Sequence, residues 1–373
     1  MGNGILEGIH ASTQRLIIAT PRFPSMPRLT FGYAETGVDA LSAFRYGILA
    51  EKYGFDALWL GDHFVDFDGD RLEPWTVLSA VAGHTKRIRL GSAVTDTQRN
   101  HPARTAQMVA SLDVISRGRA ILGIGAGEAM NIVPFGLPWE PPRTRLARLE
   151  ETIRVIRALW ASSRQELLNF VGQFYQLREA FLSQPPRQRP HPPIYVGAFS
   201  SKKALEVVGR YGDGWFAWFN TEETFKKRWS IIKEVAESVG RSAAKIVPIS
   251  HLLIAFPRNT REKKAAMLTA KAVLLMERTV LASLGHRVDV KSEHYQNLLV
   301  TGDHIAKIMD AADGTPDDFV YRTMAIGETH EVTKKIEELA RAGVRHFAVA
   351  DLLSPKRQER TLKTLGKIIR AYR

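Results

Sequence analysis

The stretch Leu29–Leu60, LTFGYAETGVDALSAFRYGILAEKYGFDALWL, decides the fold. Leu29–Tyr33 reads as a short strand, Ala40–Tyr53 as a helix, Gly54 as its stop, and Phe55–Leu60 as a buried strand. Outward from here the unit recurs. Pro74–Gly83 is predicted helical, Ile88–Thr95 a strand, Ala103–Ile115 a helix, and Arg119–Ile124 an apolar strand running into Gly125-Ala-Gly127. Residues 142–161 give the clearest helix. Leu146, Leu149, Ile153, Ile156 and Trp160 fall at spacings of three and four, a stripe read as core, with Arg and Glu on the other face. The Pro-rich Gln184–Pro193 breaks the chain. Strand Ile194–Val196, helix Lys202–Tyr211, strand Trp215–Trp218, helix Glu223–Val239 and strand Ile246–Ala255 follow. From Arg261 to Tyr321 the rhythm lapses into charged, helical sequence. It resumes with helix Glu331–Ala342, strand His346–Asp351 and a terminal helix to Arg373. Eight strands, each followed by a helix, favour closure into a (β/α)8 TIM barrel over an open doubly wound sheet.

Such a barrel takes ~250 residues, leaving a surplus. Residues 1–28 are assigned to an N-terminal extension, with Met26 as a candidate start, and 29–373 to the barrel. Residues 261–321 are read as a mostly helical insertion that covers one barrel end or makes a subunit contact.

The composition, 45% hydrophobic and 24% charged, excludes disorder, collagen and disulfide scaffolds. No apolar run reaches the ~18 residues of a bilayer helix, and no apolar h-region with a cleavage site opens the chain. A cytoplasmic protein without a membrane partner is expected. The absence of Cys removes thiol nucleophiles, thiolate zinc and iron–sulfur chemistry. No His-x-x-x-His or comparable spacing appears on a helix, so no metal site is expected. The net charge of +13 fits a solvated surface or attraction of an acidic cofactor or substrate. Nucleic acid is disfavoured, because the basic residues are scattered over polar faces such as Arg143-Thr-Arg-Leu-Ala-Arg148.

In a barrel of this kind reactive groups sit at the C-terminal ends of the strands. Phe55–Leu60 ends in Gly61-Asp-His63, a carboxylate beside an imidazole able to exchange protons near neutral pH. The alternative is a turn or cap at Asp62 and a plain loop histidine. Asp96 and His101, after Ile88–Thr95, compete with that pair. The glycines at 123, 125 and 127 allow close approach of backbone to a flat ring or phosphate, but they do not make the dinucleotide fingerprint, whose sixth position is here Glu128. Glu128 is either a general acid or an exposed loop carboxylate. Gly197-Ala-Phe-Ser-Ser201 opens a helix and reads equally as a phosphate site or a plain N-cap.

Together Trp59-Leu-Gly-Asp-His-Phe64, Glu73-Pro-Trp75, Arg89–Asp96, His101–Gln107, Arg117–Glu128 and Asp213-Gly-Trp215 resemble the luciferase-like superfamily. Within it the chain resembles the branch that uses the deazaflavin coenzyme F420, on the side of phthiodiolone ketoreductase and methylenetetrahydromethanopterin reductase. The resemblance implies a luciferase-like TIM barrel, a homodimer, and an oxidoreductase that transfers a hydride between F420 and an alcohol/carbonyl or iminium substrate. An FMN-dependent monooxygenase of the same superfamily is the alternative. It further implies His63 and Glu128 as catalytic residues and Trp75 facing the substrate. Asp62, Ala93, Val94, Thr95, Gly125, Gly127 and Asn131 would bind the coenzyme, with a non-prolyl cis peptide at Ala93–Val94. Phe199, Ser200 and Ser201 fall where relatives hold the phosphate with glycines. Between His63 and Trp75 the chain is longer than the deazaflavin sugar-phosphate enzyme, which argues against copying its substrate.

Overall fold

The computed structural model describes residues 28–34, 41–65, 71–283, 285, 299, 301–353 and 357–373. The expected N-terminal extension therefore lies outside the described residues except for Arg28. Eight strands form the barrel: β1 (Thr30–Ala34), β2 (Ala57–Leu60), β3 (Arg89–Ser92), β4 (Ala120–Gly125), β5 (Ile194–Gly197), β6 (Gly214–Trp218), β7 (Val247–Ala255) and β8 (His346–Asp351). Each pairs in parallel with its neighbour in chain order, and β8 returns to β1, so the sheet closes.

The strand alternation divides the core into two layers. Phe31, Tyr33, Leu58, Leu60, Leu90, Leu122 and Ile124 point outward into the surrounding helices, whereas Trp59, Ile121, Tyr195, Phe216, Ile249 and Ala348 fill the barrel interior. Trp59 is the central plug. Its ring lies 5.1 Å edge-on to Phe216 and 5.7 Å from Tyr195, and its Nε1–H donates to His346 Nε2 at 2.9 Å. Gly32 and Gly91 make room for it, since a Cβ at either would stand 2.3 Å from the indole. The outer helices obey local rules. Helix Ser42–Tyr53 ends on Gly54 at φ 93°, and helix Pro74–His84 starts under the Glu73 carboxylate, which accepts from the amides of Trp75 and Thr76.

One expectation needs correction, and one element is added. The strand expected through Ile88–Thr95 stops at Ser92, and Thr95–Asp96 instead continues the ladder on β4. There the backbones approach so closely that a Cβ at Gly123 would lie 1.9 Å from the Ser92 carbonyl oxygen. An antiparallel hairpin, Leu168–Val171 with Gln176–Ala180, occupies a stretch to which the sequence reading assigned no element. Its turn is held by the buried Glu151 carboxylate, which accepts from the amides of Gln173, Phe174 and Tyr175 at 2.8–2.9 Å. Within 261–321 the described residues form helices Thr260–Met276, Arg278–Ser283, Gly302–Ala312 and Asp317–Thr323, whose apolar residues join the barrel interior through Leu253, Ala255 and Ala350. Among the described residues no helix is long and apolar enough to cross a membrane.

Candidate active site

A cavity of about 420 Å³ opens where β2 to β6 end, within the ~300–1,000 Å³ range of small-molecule and cofactor sites. Its wall carries Asp62 and His63 after β2, Ala93 and Val94 after β3, Gly125, Gly127, Glu128 and Asn131 after β4, and Phe199, Ser200 and Ser201 after β5. Three stretches distant in sequence thus meet at one barrel mouth. The Ala93–Val94 peptide is cis.

His63 is oriented by Asn131. The Asn131 Oδ1 atom accepts the amides of Phe64 at 2.7 Å and Val65 at 3.3 Å, which fixes Nδ2 as the atom 2.9 Å from His63 Nδ1. An amide nitrogen can only donate, so Nδ1 accepts and the neutral ring keeps its proton on Nε2. Glu128 Oε2 stands 3.6 Å from the same Nδ1, close enough to stabilise a positive ring.

Asp62 is a fixed carboxylate. Thr95 Oγ1 donates to its Oδ2 at 2.7 Å, and Arg99 Nη2 to its Oδ1 at 2.8 Å. Arg99 also binds Asp96 through Nε, and Asp96 Oδ1 accepts the amides of Gln98 and Arg99. Burial works against the Arg99 charge, but Asp96 and Asp62 outweigh it and hold the guanidinium pKa above its ordinary value. Trp75 departs from expectation. Its buried indole N–H donates to Thr95 Oγ1 at 3.2 Å, so Trp75 and Thr95 stand behind Asp62 and neither is among the lining residues. His101 caps helix Pro102–Ile115, accepting from the Ala103 amide, which removes it from competition with His63. Ser201 caps helix Lys202–Tyr211 in the same way, although it also lines the cavity.

The glycines serve Val94. A Cβ at Gly125 would meet Val94 Cγ2 at 2.7 Å and one at Gly197 would meet it at 3.3 Å, so both positions seat that side chain in the cavity floor. Gly127 has φ 86°, a left-handed turn open to glycine. Arg145, read from sequence as part of a solvated face, is instead buried and lines the cavity. Its guanidinium lies 3.7 Å from the Trp139 ring centroid and donates to the Gly127 carbonyl at 3.3 Å, while Nε has no partner. Leu146, assigned to the core stripe, is half-buried and lines the cavity beside it. Arg99, Arg145, Phe216 and Trp218 were not legible as site residues; only the Asp96–Arg99 spacing offered a local signal. Among the described residues no group of three or more His, Asp or Glu is placed to hold a metal ion.

Residues 30–346 match the family model described as luciferase-like monooxygenase. The chain belongs to the luciferase-like monooxygenase family. Within that family it is 40% identical over 186 residues to a phthiodiolone/phenolphthiodiolone dimycocerosates ketoreductase of Mycobacterium sp. (strain JLS), covering 49% of this chain and 48% of that one. It is 38% identical over 197 residues to an F420-dependent glucose-6-phosphate dehydrogenase of Microbacterium testaceum (strain StLB037), covering 50% and 56%. The luciferase-like chain therefore spans about half the length of these curated relatives. The same fold occurs in an F420-dependent secondary alcohol dehydrogenase in complex with an F420-acetone adduct, with a TM-score of 0.77, 23% identity and coverage of 93% of this chain and 100% of that one.

Proposed function

We propose that this protein is an F420-dependent oxidoreductase that moves a hydride between the deazaflavin and an alcohol/carbonyl or iminium substrate. The observation that carries the reading is the meeting of His63, Val94 and Glu128 on one cavity wall, beside a buried arginine with an unsatisfied nitrogen. That orphaned Nε is the fit test for an anionic cofactor, because a buried polar group left without a partner is costly. Arg145, the exposed hydroxyls of Ser200 and Ser201, and the N-terminus of helix Lys202–Tyr211 would hold its phosphate. Val94, seated on Gly125 and Gly197, would support the ring, with Asp62 held rigid at its edge by Arg99 and Thr95.

When bound, the deazaflavin supplies a carbon that gives or takes a hydride. His63 holds the proton exchanged with the substrate oxygen, on the Nε2 atom that Asn131 leaves protonated. As Nε2 gives that proton to a carbonyl oxygen, Nδ1 takes one from the protonated Glu128 carboxyl 3.6 Å away, and alcohol oxidation runs the relay in reverse, with Nε2 taking the alcohol proton while Nδ1 returns its own to the Glu128 carboxylate. Assembly as a homodimer in the cytoplasm belongs to the same reading.

Fluorescence titration with purified F420 tests the proposal. Micromolar or tighter binding is expected, and Arg145→Met is expected to weaken it about tenfold to a hundredfold, the worth of a charge-assisted hydrogen bond of ~1.5–3 kcal/mol. Absence of F420 binding by the folded protein, or oxygen consumption with reduced FMN in its place, overturns it.

A further inference from the structure

The cofactor-holding groups named above lie after β2, β3, β4 and β5 and on the helix that starts at Pro142. The rest of the cavity wall is of a different kind. On β6 it carries Phe216 and Trp218, across the barrel from His63, which follows β2. Trp218 lies flat on the His251 ring, with centroids 4.0 Å apart and planes at 9°, and edge-on to Phe199 at 6.0 Å. His251 comes from β7, is buried inside the barrel, and is held neutral because burial pushes its pKa down to about 3. A flat aromatic surface braced from behind by an uncharged ring can bind apolar area but offers no counter-charge.

The charge inventory agrees. Among the described residues lining the cavity, the one permanent cation is Arg145, and it stands with the groups assigned to the cofactor. The acidic lining residues are Asp62, Asp96 and Glu128, the first two sharing the single positive charge of Arg99. A phosphorylated substrate would bring about two negative charges to a wall whose described residues hold no second cation to receive them. Beside His63 the rim is apolar too. Phe64 and Phe135, 53% and 48% exposed, meet with ring centroids 4.6 Å apart and planes tilted at 59° next to the Asn131 turn, with the Arg99 guanidinium over the Phe64 ring.

Building on the F420 reading, we propose that the substrate is an uncharged secondary alcohol or ketone with an extended apolar body, and that Trp218 is the specificity-determining residue against which that body packs. A sugar phosphate would find no second cation among the described lining residues.

The test compares propan-2-ol, hexan-2-ol, decan-2-ol and glucose 6-phosphate with the F420-loaded protein. The expected kcat/KM rises roughly threefold to fourfold for each methylene added over the first several, the transfer value of a buried CH₂. Trp218→Ala should flatten that series, and Trp218→Phe should restore most of it. A series flat with chain length, or glucose 6-phosphate turned over as well as decan-2-ol, overturns the proposal. Calorimetric binding of decan-2-one to wild type and both variants, with and without coenzyme, reads the wall apart from turnover. Binding weakened at least about tenfold in Trp218→Ala and kept in Trp218→Phe supports it. Equal binding by all three, or none by wild type, sinks it. Loss of F420 binding alone would overturn the cofactor reading while this arm still decides the substrate class.

Discussion

Asn131 decides which nitrogen of His63 carries the proton, because its own orientation is locked by the amides of Phe64 and Val65. Replacing it by aspartate reverses the donor: a carboxylate beside Nδ1 draws a proton there and favours the charged ring. Asn131→Asp is therefore expected to raise the acidic-limb pKa of kcat/KM by about one unit or more, read from a pH–rate profile. An unshifted limb with intact coenzyme binding would show that His63 is not the titrating group. At this scale the sequence was informative for residues whose role is local. His63 and Glu128 stand just past apolar strands, where nothing in strand propensity accounts for them, whereas Asn131, between Met130 and Ile132, came only with the family resemblance. Arg145 was illegible for a physical reason. Helical periodicity places it among other arginines on a polar face, and only the packing of Trp139 and the Gly127 loop over that face buries it.

Among the elements, the loop after β4 shows how a strand end becomes a floor. Gly125 is there to admit Val94, so Gly125→Ala drives a Cβ to 2.7 Å from Val94 Cγ2 and must push that side chain into the cavity. The expected outcome is coenzyme affinity reduced by about tenfold or more with little change in the thermal midpoint, since the clash is relieved into open space. Unchanged affinity would mean that Val94 does not support the ring. The barrel strands themselves were legible because each is an apolar run ended by glycine or a polar residue, and boundaries agree to within one or two positions over most of them. The hairpin Leu168–Val171 with Gln176–Ala180 was not. It is short and half-exposed, and what closes its turn is Glu151, a residue of another element more than twenty positions earlier.

For the molecule as a whole, closure of the sheet buries titratable groups that an unfolded chain would expose. His346 and His251 both sit inside the barrel, where burial pushes each pKa down to about 3 from 6.5. Between those limits the unfolded chain binds protons that the native state refuses, so stability falls as pH drops through this interval. Asp351 and Glu277 act in the opposite sense, because burial raises them to about 6 and about 8. Their carboxyls take up protons in the native state first, and acidification down to their ordinary values is stabilising. His346→Gln isolates one contribution while retaining an acceptor for the Trp59 N–H. Urea unfolding of the variant between pH 6 and pH 4 should lose stability less steeply than wild type, by about 1.4 kcal/mol per pH unit. Identical slopes would show that His346 is protonated in the native barrel. None of this was visible from composition, because a histidine in a strand carries no mark of which side of the sheet it faces until the sheet closes.

The indole of Trp59 has one more effect. With Tyr195 and Phe216 it packs the barrel interior, so in the proposed reaction both reactants would enter by the mouth at the strand ends. Both reactants must use the same doorway, and whichever lies deeper has to arrive first and depart last. Turnover then proceeds as a queue, in which the rate of leaving matters as much as the rate of reacting.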